Sequence, residues 1–347
     1  MSVSPKGIKH RSPGWQIDFA PWQNLKILKG MNDGKYEFLR VRREFRHPFV
    51  TGAGSFNEME RVLIKTEENG VVGFGEVAPW PNFKTENISQ CLELLNTANG
   101  DLENLKSLLR KLENQFPCLE SALSSCQRWD EIQKFDDEIE CAGLVSSPNE
   151  ETVYKKISDG FKTLKFKISP ATSLSEIKSI ISTAPKNIMF RLDANGSLNL
   201  EESKLWINFA FSSEQIDFIE QPLPINDEGY RQLDAFKVAL DESFVYPNQK
   251  QRWAGPVVVK PSLVGDWFEF MAWRHSRYDG VYYSSVFETA IGRQAALWLA
   301  NRDEHLPAVG FDTLNYFKDD GLDHHKSGPI VRGLANFDWM ELWKGLK

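Results

Sequence analysis

Short apolar runs, each closed by a charged or amide residue, recur through the middle of the chain. Five of them span residues 163–168, 188–195, 216–222, 238–243 and 256–261. Each is too short for a typical helix, and the pattern reads as buried strands. Each also delivers a charge near its C-terminal end: Lys165 and Lys167, then Asp193, Glu220, Asp241 and Lys260. From Lys167 onward these charges follow at intervals of 26, 27, 21 and 19 residues. Such an interval fits one strand plus one crossover helix, and repeated units of that kind imply parallel strands. Ser173-Leu174-Ser175-Glu176 supplies a capping-box signature at the start of one such helix. Further strand-like runs at 139–145, 280–286 and 307–311 bring the candidates to eight, the number that closes a barrel.

The first third is patterned differently. Strand-like runs occupy residues 16–19 and 36–45. A hairpin is expected where 61–66 and 71–77 flank Asn69-Gly70, because Asn-Gly supplies the positive φ values of a tight turn. Residues 46–57, with the small residues 51–55, read as a mobile loop. Two amphipathic helices follow. Ile88, Cys91, Leu92 and Leu95 share a face within 85–96, and Leu105, Leu108, Leu109 and Leu112 share one within 102–116. The expected architecture is α/β: a barrel over residues 121–319, preceded by an α+β unit over 1–120. The tail, about 320–347, carries Phe337, Trp339, Met340, Leu342 and Trp343 and is expected to fold back and join that first unit.

Composition narrows the class. The 347 residues are 41% apolar, enough for a large core, and the formal net charge of −7 has both signs interspersed. That distribution argues against a nucleic-acid partner. The 11 Trp and 23 Phe suggest dense packing and an aromatic-lined pocket. Four cysteines without a CxxC pair fit a reducing compartment. No apolar run approaches a membrane span, and residues 1–15 lack the apolar core of a secretory signal, so a cytoplasmic location is expected.

Three carboxylates delivered to one barrel mouth would repel one another unless a cation joins them. Asp193, Glu220 and Asp241 offer only oxygen, which favours Mg²⁺, or Mn²⁺, over Zn²⁺. Lys165 and Lys167 are two apart on a strand and point to one face. With Lys260 beside them, and the metal near, their pKa values should fall, and a lysine brought towards neutrality serves as a base. Together these groups suit proton abstraction from carbon next to a carboxylate of a small molecule, with the metal balancing the negative charge that forms.

At these residues the chain resembles the muconate-lactonizing subgroup of the enolase superfamily. The carrying stretches are Lys165-Phe166-Lys167, Arg191-Leu192-Asp193-Ala194-Asn195, Asp241-Glu242-Ser243, Lys260-Pro261-Ser262-Leu263-Val264-Gly265, Ser284-Ser285-Val286-Phe287-Glu288 and Gly75-Glu76-Val77-Ala78-Pro79. The resemblance implies an α+β capping domain on a modified (β/α)7β barrel, a modified TIM barrel. It implies Mg²⁺ on Asp193, Glu220 and Asp241, Lys167 as base, Lys260 opposite it, and Lys165 tuning Lys167. It also implies substrate-side roles for Arg191, Asn195, Ser284 and Ser285, and a loop near Thr51 that closes over the site. A mandelate-racemase-like member would place a His at the end of the seventh strand, and residues 282–288 hold none. Cycloisomerases and N-acylamino-acid or dipeptide epimerases share the ligands and both lysines. Dipeptide epimerases usually add an Asp-x-Asp on the last strand, where only Asp312 is near.

Overall fold

Residues 34–51, 54–80, 83–244, 253–277 and 280–347 are described by the computed structural model, and all of them fall within one unit, Asp33–Lys347. The expected strand at 16–19 lies outside these residues. Strands β1 (Lys35–Thr51) and β2 (Gly54–Glu68) form an antiparallel ladder running from Lys35 opposite Glu67 to Thr51 opposite Gly54. Residues 46–51 and 54–57 are therefore not a separate loop but the far end of this hairpin. The ladder is irregular between Glu44 and Phe49, across Pro48, which has no N–H to donate. Beyond it, pairing resumes because Phe49 is held by Phe45 and Phe287, at ring centroid distances of 5.3 and 4.7 Å. Strand β3 (Val71–Val77) pairs with β2 through the expected turn, with Asn69 and Gly70 at φ 54° and 76°.

Four helices follow: α1 (Ile88–Ala98), α2 (Leu102–Lys111), α3 (Pro117–Gln127) and α4 (Trp129–Ile132). Asn87 and Gln90 close a reciprocal capping box on α1. The second expected helix stops at Lys111, before Leu112 and Phe116. Helix α3 has no apolar stripe to betray it, since Ser121, Ala122, Ser124 and Ser125 are all buried. It can lie on β3 because Gly73 and Gly75 have no side chain. A Cβ on either would stand 2.1 Å from the carbonyl oxygen of Cys126 or Ala122. On its other side Ser121 donates to Gly265 O at 3.0 Å, and Ser124 accepts from Trp267 N at 3.2 Å. The boundary expected near residue 120 thus falls inside a helix that touches both the sheet and the barrel.

The barrel begins after β4 (Glu138–Glu140). It alternates β5 (Gly143–Val145), α5 (Glu150–Ser158), β6 (Thr163–Lys167), α6 (Leu174–Thr183), β7 (Met189–Asp193), α7 (Leu200–Phe211) and β8 (Ile216–Glu220). Then come β9 (Val238–Ala239), β10 (Val257–Val259), α8 (Trp267–Ser276), β11 (Val281–Tyr283) and α9 (Ala290–Ala300). Strands β5 to β9 form one parallel sheet and β10–β11 another. Parallel bridges Leu240–Val257, Ser284–Gly310 and Cys141–Val309 join the two sheets and residues 309–310 into a ring of eight parallel segments. The fold is the expected modified (β/α)7β barrel with an α+β cap.

Two local expectations change. Residues 139–145 are not one strand. The first part, β4, leaves the ring and pairs antiparallel with β12 (Ile330–Arg332). Between β8 and β9 the expected crossover helix is replaced by two 3-10 turns, Glu228–Gln232 and Ala235–Lys237. Pro222 and Pro224 forbid a continuous helix at its start. The tail ends in α10 (Trp339–Gly345), which packs on β3 and α4. Trp343 meets Phe74 of β3 at 5.8 Å and Trp339 meets Trp129 of α4 at 5.1 Å. Among the described residues no helix is long and apolar enough to cross a membrane.

Candidate active site

Alternation along β6 fixes the first two groups. Phe166 is fully buried on the outward face, 5.1 Å from Phe190, so Lys165 and Lys167 both face the lumen. Parallel register then sets Lys167 opposite Asp193 and Asp193 opposite Glu220. Asp241 follows β9 and Lys260 follows β10. The three carboxylates are all buried. Lys165 Nζ lies 2.8 Å from Asp193 Oδ2 and 2.7 Å from Glu220 Oε1. Lys167 Nζ lies 2.7 Å from the same Asp193 oxygen and 2.6 Å from Asn195 Oδ1. Lys260 is ion-paired with Asp241 and stands 4.6 Å from the centre of the Phe83 ring.

As they stand, no three acidic, imidazole or thiol groups among the described residues close on a single point. Ammonium groups stand between the carboxylates instead. The donor set nonetheless suits a hard divalent cation: three buried carboxylates on neighbouring strand ends and no thiolate among them. Burial, and after it the nearby Asp193 charge, pushes Glu220 up to about 7. Burial raises Asp241 as well. Asp193 is held below the usual carboxylate range, because Lys165 and Lys167 outweigh the burial that would raise it. The expected fall in lysine pKa is not found at Lys165. There burial acts downward, but Asp193 and Glu220 outweigh it and hold the ammonium firmly charged.

Backbone in the left-handed region shapes the strand ends. Asn195 (φ 44°) turns its N–H back to Asp193 Oδ1 at 3.0 Å and donates through Nδ2 to Glu242 Oε1 at 3.2 Å. Gln221 (φ 40°) is fully buried. Its Oε1 accepts from Asp241 N and Ser243 N at 3.1 and 3.0 Å, and its Nε2 donates to Leu223 O and Ser243 Oγ at 2.9 and 2.7 Å. Gln221 therefore ties the end of β8 to the segment that carries Asp241. Neither Glu242 nor Gln221 is among the site residues expected from sequence. Their adjacency to Asp241 and Glu220 was the available signal.

Lys165, Lys167, Asp193, Asp241, Glu242 and Lys260 line a cleft of about 770 Å³, counted to its open mouth, with Glu220 and Gln221 behind its wall. Phe49, Trp80, Phe83 and Phe287 form its aromatic side, in keeping with the aromatic-lined pocket expected from composition. Trp80 stacks on Phe287 at 5.3 Å and Phe49 meets both edge-on. Ser284 and Ser285 both line the cleft, as does Asn195. Arg191 does not. It faces the lumen one layer below Asp193, where it pairs with Asp217 at 3.0 Å and donates to Ala308 O at 2.6 Å. Its expected substrate contact is therefore withdrawn. Thr51 pairs with Gly54 in the hairpin, and its side chain lies outside the described residues.

The loop bearing the serines is braced from the cap. Arg61 donates to Val286 O at 2.5 Å and pairs with Glu76 at 3.3 Å. Glu76 accepts from Thr289 N, Thr289 Oγ1 and Gly292 N at 2.9, 2.6 and 3.1 Å. It thereby caps α9, whose own N-cap residue makes no side-chain cap bond.

Residues 150–258 match the family described as Enolase C-terminal domain-like. Over 334 residues the chain is 25% identical to the o-succinylbenzoate synthase of Thermosynechococcus vestitus, covering 90% of this chain and 99% of that protein. It is 27% identical over 270 residues to the o-succinylbenzoate synthase of Haemophilus influenzae, covering 70% and 79%. Among solved structures, the o-succinylbenzoate synthase from Thermosynechococcus elongatus BP-1, complexed with Mg in its active site, superposes with a TM-score of 0.77 at 22% identity, covering 90% and 99%. A dipeptide epimerase from Enterococcus faecalis, complexed with Mg and L-Leu-L-Tyr, superposes with a TM-score of 0.70 at 19% identity, covering 87% and 97%.

Residues 150–258 thus match the Enolase C-terminal domain-like family, and the fold is similar to that of these solved structures. Over most of its length the chain is similar in sequence to the o-succinylbenzoate synthases.

Proposed function

We propose that this protein catalyses the syn-dehydration of 2-succinyl-6-hydroxy-2,4-cyclohexadiene-1-carboxylate to 2-succinylbenzoate, a cytoplasmic step of menaquinone biosynthesis. Asp193, Glu220 and Asp241 would hold Mg²⁺, or Mn²⁺ with the same oxygen donors, which when bound supplies positive charge at the substrate carboxylate. Lys167 removes the proton α to that carboxylate. The carbon–oxygen bond to the ring hydroxyl then breaks, Lys167 returns its proton to the departing oxygen on the same face, and water leaves as the ring becomes aromatic. Lys260 presents its charge from the other side, held by Asp241 and Phe83. Asn195 orients Lys167 through the 2.6 Å contact, and Lys165 holds Asp193 and Glu220 together. The aromatic side of the cleft excludes water and accepts the flat ring.

The observation that carries this choice over a dipeptide epimerase is the state of Asp312. Its Oδ2 accepts from Leu144 N at 2.9 Å and pairs with Lys156, and its Oδ1 accepts from Ser327 at 3.0 Å. A carboxylate so engaged has little left for a dipeptide ammonium, and the position two residues on is Leu314 rather than a second acid. The deciding experiment pairs a dehydration assay on the succinyl-cyclohexadiene with a racemisation assay on N-succinyl amino acids, both with Mg²⁺. Dehydration is expected. Racemisation without dehydration would overturn the reading.

A further inference from the structure

One buried acid beside the cleft takes no part in the chemistry above. Glu288 is 1% exposed, and its carboxylate holds Ser285, which lines the cleft, together with two groups behind the cleft wall. Its Oε2 accepts from Ser285 Oγ at 2.5 Å. Its Oε1 accepts from Ser262 Oγ at 3.2 Å and Val286 N at 3.1 Å. Ser262 lies two residues past Lys260, in the 3-10 turn Pro261–Leu263 that closes the sixth barrel strand, whereas Ser285 closes the seventh.

The chain of donors continues behind Ser285. Thr313 Oγ1 donates to Ser285 Oγ at 3.2 Å, and buried Arg293 donates to Thr313 Oγ1 at 3.2 Å. Phe287 N also donates to Ser285 Oγ, at 2.8 Å. Arginine can only donate and an ionised carboxylate can only accept, so the two hydroxyls between them run in one direction. This saturates Ser285: its proton goes to Glu288 and its lone pairs take Phe287 N and Thr313. Of the two adjacent serines, only Ser284, held by a single 3.3 Å bond to Gly310 O, has a hydroxyl free to turn to a substrate.

We infer that Glu288 is a positioning residue that fastens the ends of the sixth, seventh and eighth barrel strands through Ser262, Ser285 and Thr313, and so aims Ser284 at the substrate. The role rests on the functional reading above only for what the substrate is. The locked direction makes Glu288→Gln a sharp probe. In one amide orientation its NH₂ meets Val286 N, a pure donor. In the other it meets Ser285, whose lone pairs are already taken.

The test uses the Mg²⁺-loaded full chain. Calorimetric binding of 2-succinylbenzoate and dehydration kinetics are measured for wild type, E288Q and Ser285→Ala, with hydrogen exchange of peptides covering 262–264 and 284–287. The expected E288Q result is a KM and product Kd raised about tenfold, the size of one charge-assisted hydrogen bond, with kcat within about threefold. Exchange should quicken at those two segments and not at 163–193. S285A should move the same quantities in the same direction, and it serves if E288Q does not fold. Unchanged KM, Kd and local exchange in either folded variant would overturn the inference, as would a loss confined to kcat. If wild type neither binds nor dehydrates, the functional reading falls, and the exchange pattern still decides the role of Glu288.

Discussion

Lys165 reaches from β6 across β7 to Glu220 on β8, and its ammonium rests 2.7 Å from that carboxylate while also touching Asp193. A single cation thus stands between two buried acids, where burial and, after it, the Asp193 charge raise Glu220. A divalent ion at the same acids would relieve that repulsion more fully. Millimolar Mg²⁺ is expected to raise the melting temperature, and Glu220→Gln should remove most of that rise. A wild-type melting temperature indifferent to Mg²⁺ would refute the ligand set.

Lys167 is the more exposed of the two β6 lysines and faces the cleft, with Asn195 as a second partner. Lys167→Ala removes the base but neither the carboxylates nor Lys165. Turnover should fall by about 10²–10⁴-fold, the span typical of a general base. The Mg²⁺-induced shift in melting temperature should persist. Near-normal kcat in this variant would remove Lys167 from the role.

Much of this site was legible because period-two alternation and parallel register are strict. Once β6, β7 and β8 are strands, Lys165, Lys167, Asp193 and Glu220 must share the lumen. The same rule placed Arg191 there too. It could not tell the floor of the lumen from its mouth, and Arg191 proved to serve Asp217 below. Helix α3 was illegible because its buried serines, which donate to and accept from backbone on neighbouring elements, look polar in sequence. The crossover after β8 was miscounted because an interval of 21 residues admits a helix, whereas Pro222 and Pro224 do not. Glu242 and Gln221 could be suspected from their neighbours Asp241 and Glu220, but their hydrogen bonds, like those of Glu288, join different strand ends, a long-range relation that no local pattern carries.

Glu86 gives a prediction away from the cleft. Its carboxylate accepts from Cys118 N and Leu119 N at 3.2 and 2.7 Å, capping α3, which has no side-chain cap of its own. Burial nevertheless pushes it up to about 7, against those two bonds. A folded-state value above the unfolded one means that the proton favours the fold. This contribution is complete below about pH 4.5 and is lost as pH rises through about 7, by up to about 3 kcal/mol. Glu86→Gln cannot ionise, so the fall in stability between pH 5 and pH 8 should shrink in urea denaturation. An identical pH dependence in the variant would show that Glu86 does not carry it.

Gln221 offers the sharpest separation of fold from metal site. Its amide satisfies two backbone N–H groups, at Asp241 and Ser243, from a fully buried position. Gln221→Leu keeps the volume and leaves both donors without a partner. Each orphaned group costs about 1–3 kcal/mol, so urea denaturation should show a loss of about 3 kcal/mol. The same change frees the backbone that carries Asp241, one of three carboxylates that must converge. The Mg²⁺ midpoint, followed by melting temperature, should therefore rise by about tenfold, the range seen when a group supporting a ligand is lost. A destabilised variant with an unchanged Mg²⁺ midpoint would limit Gln221 to the fold and separate Asp241 from it.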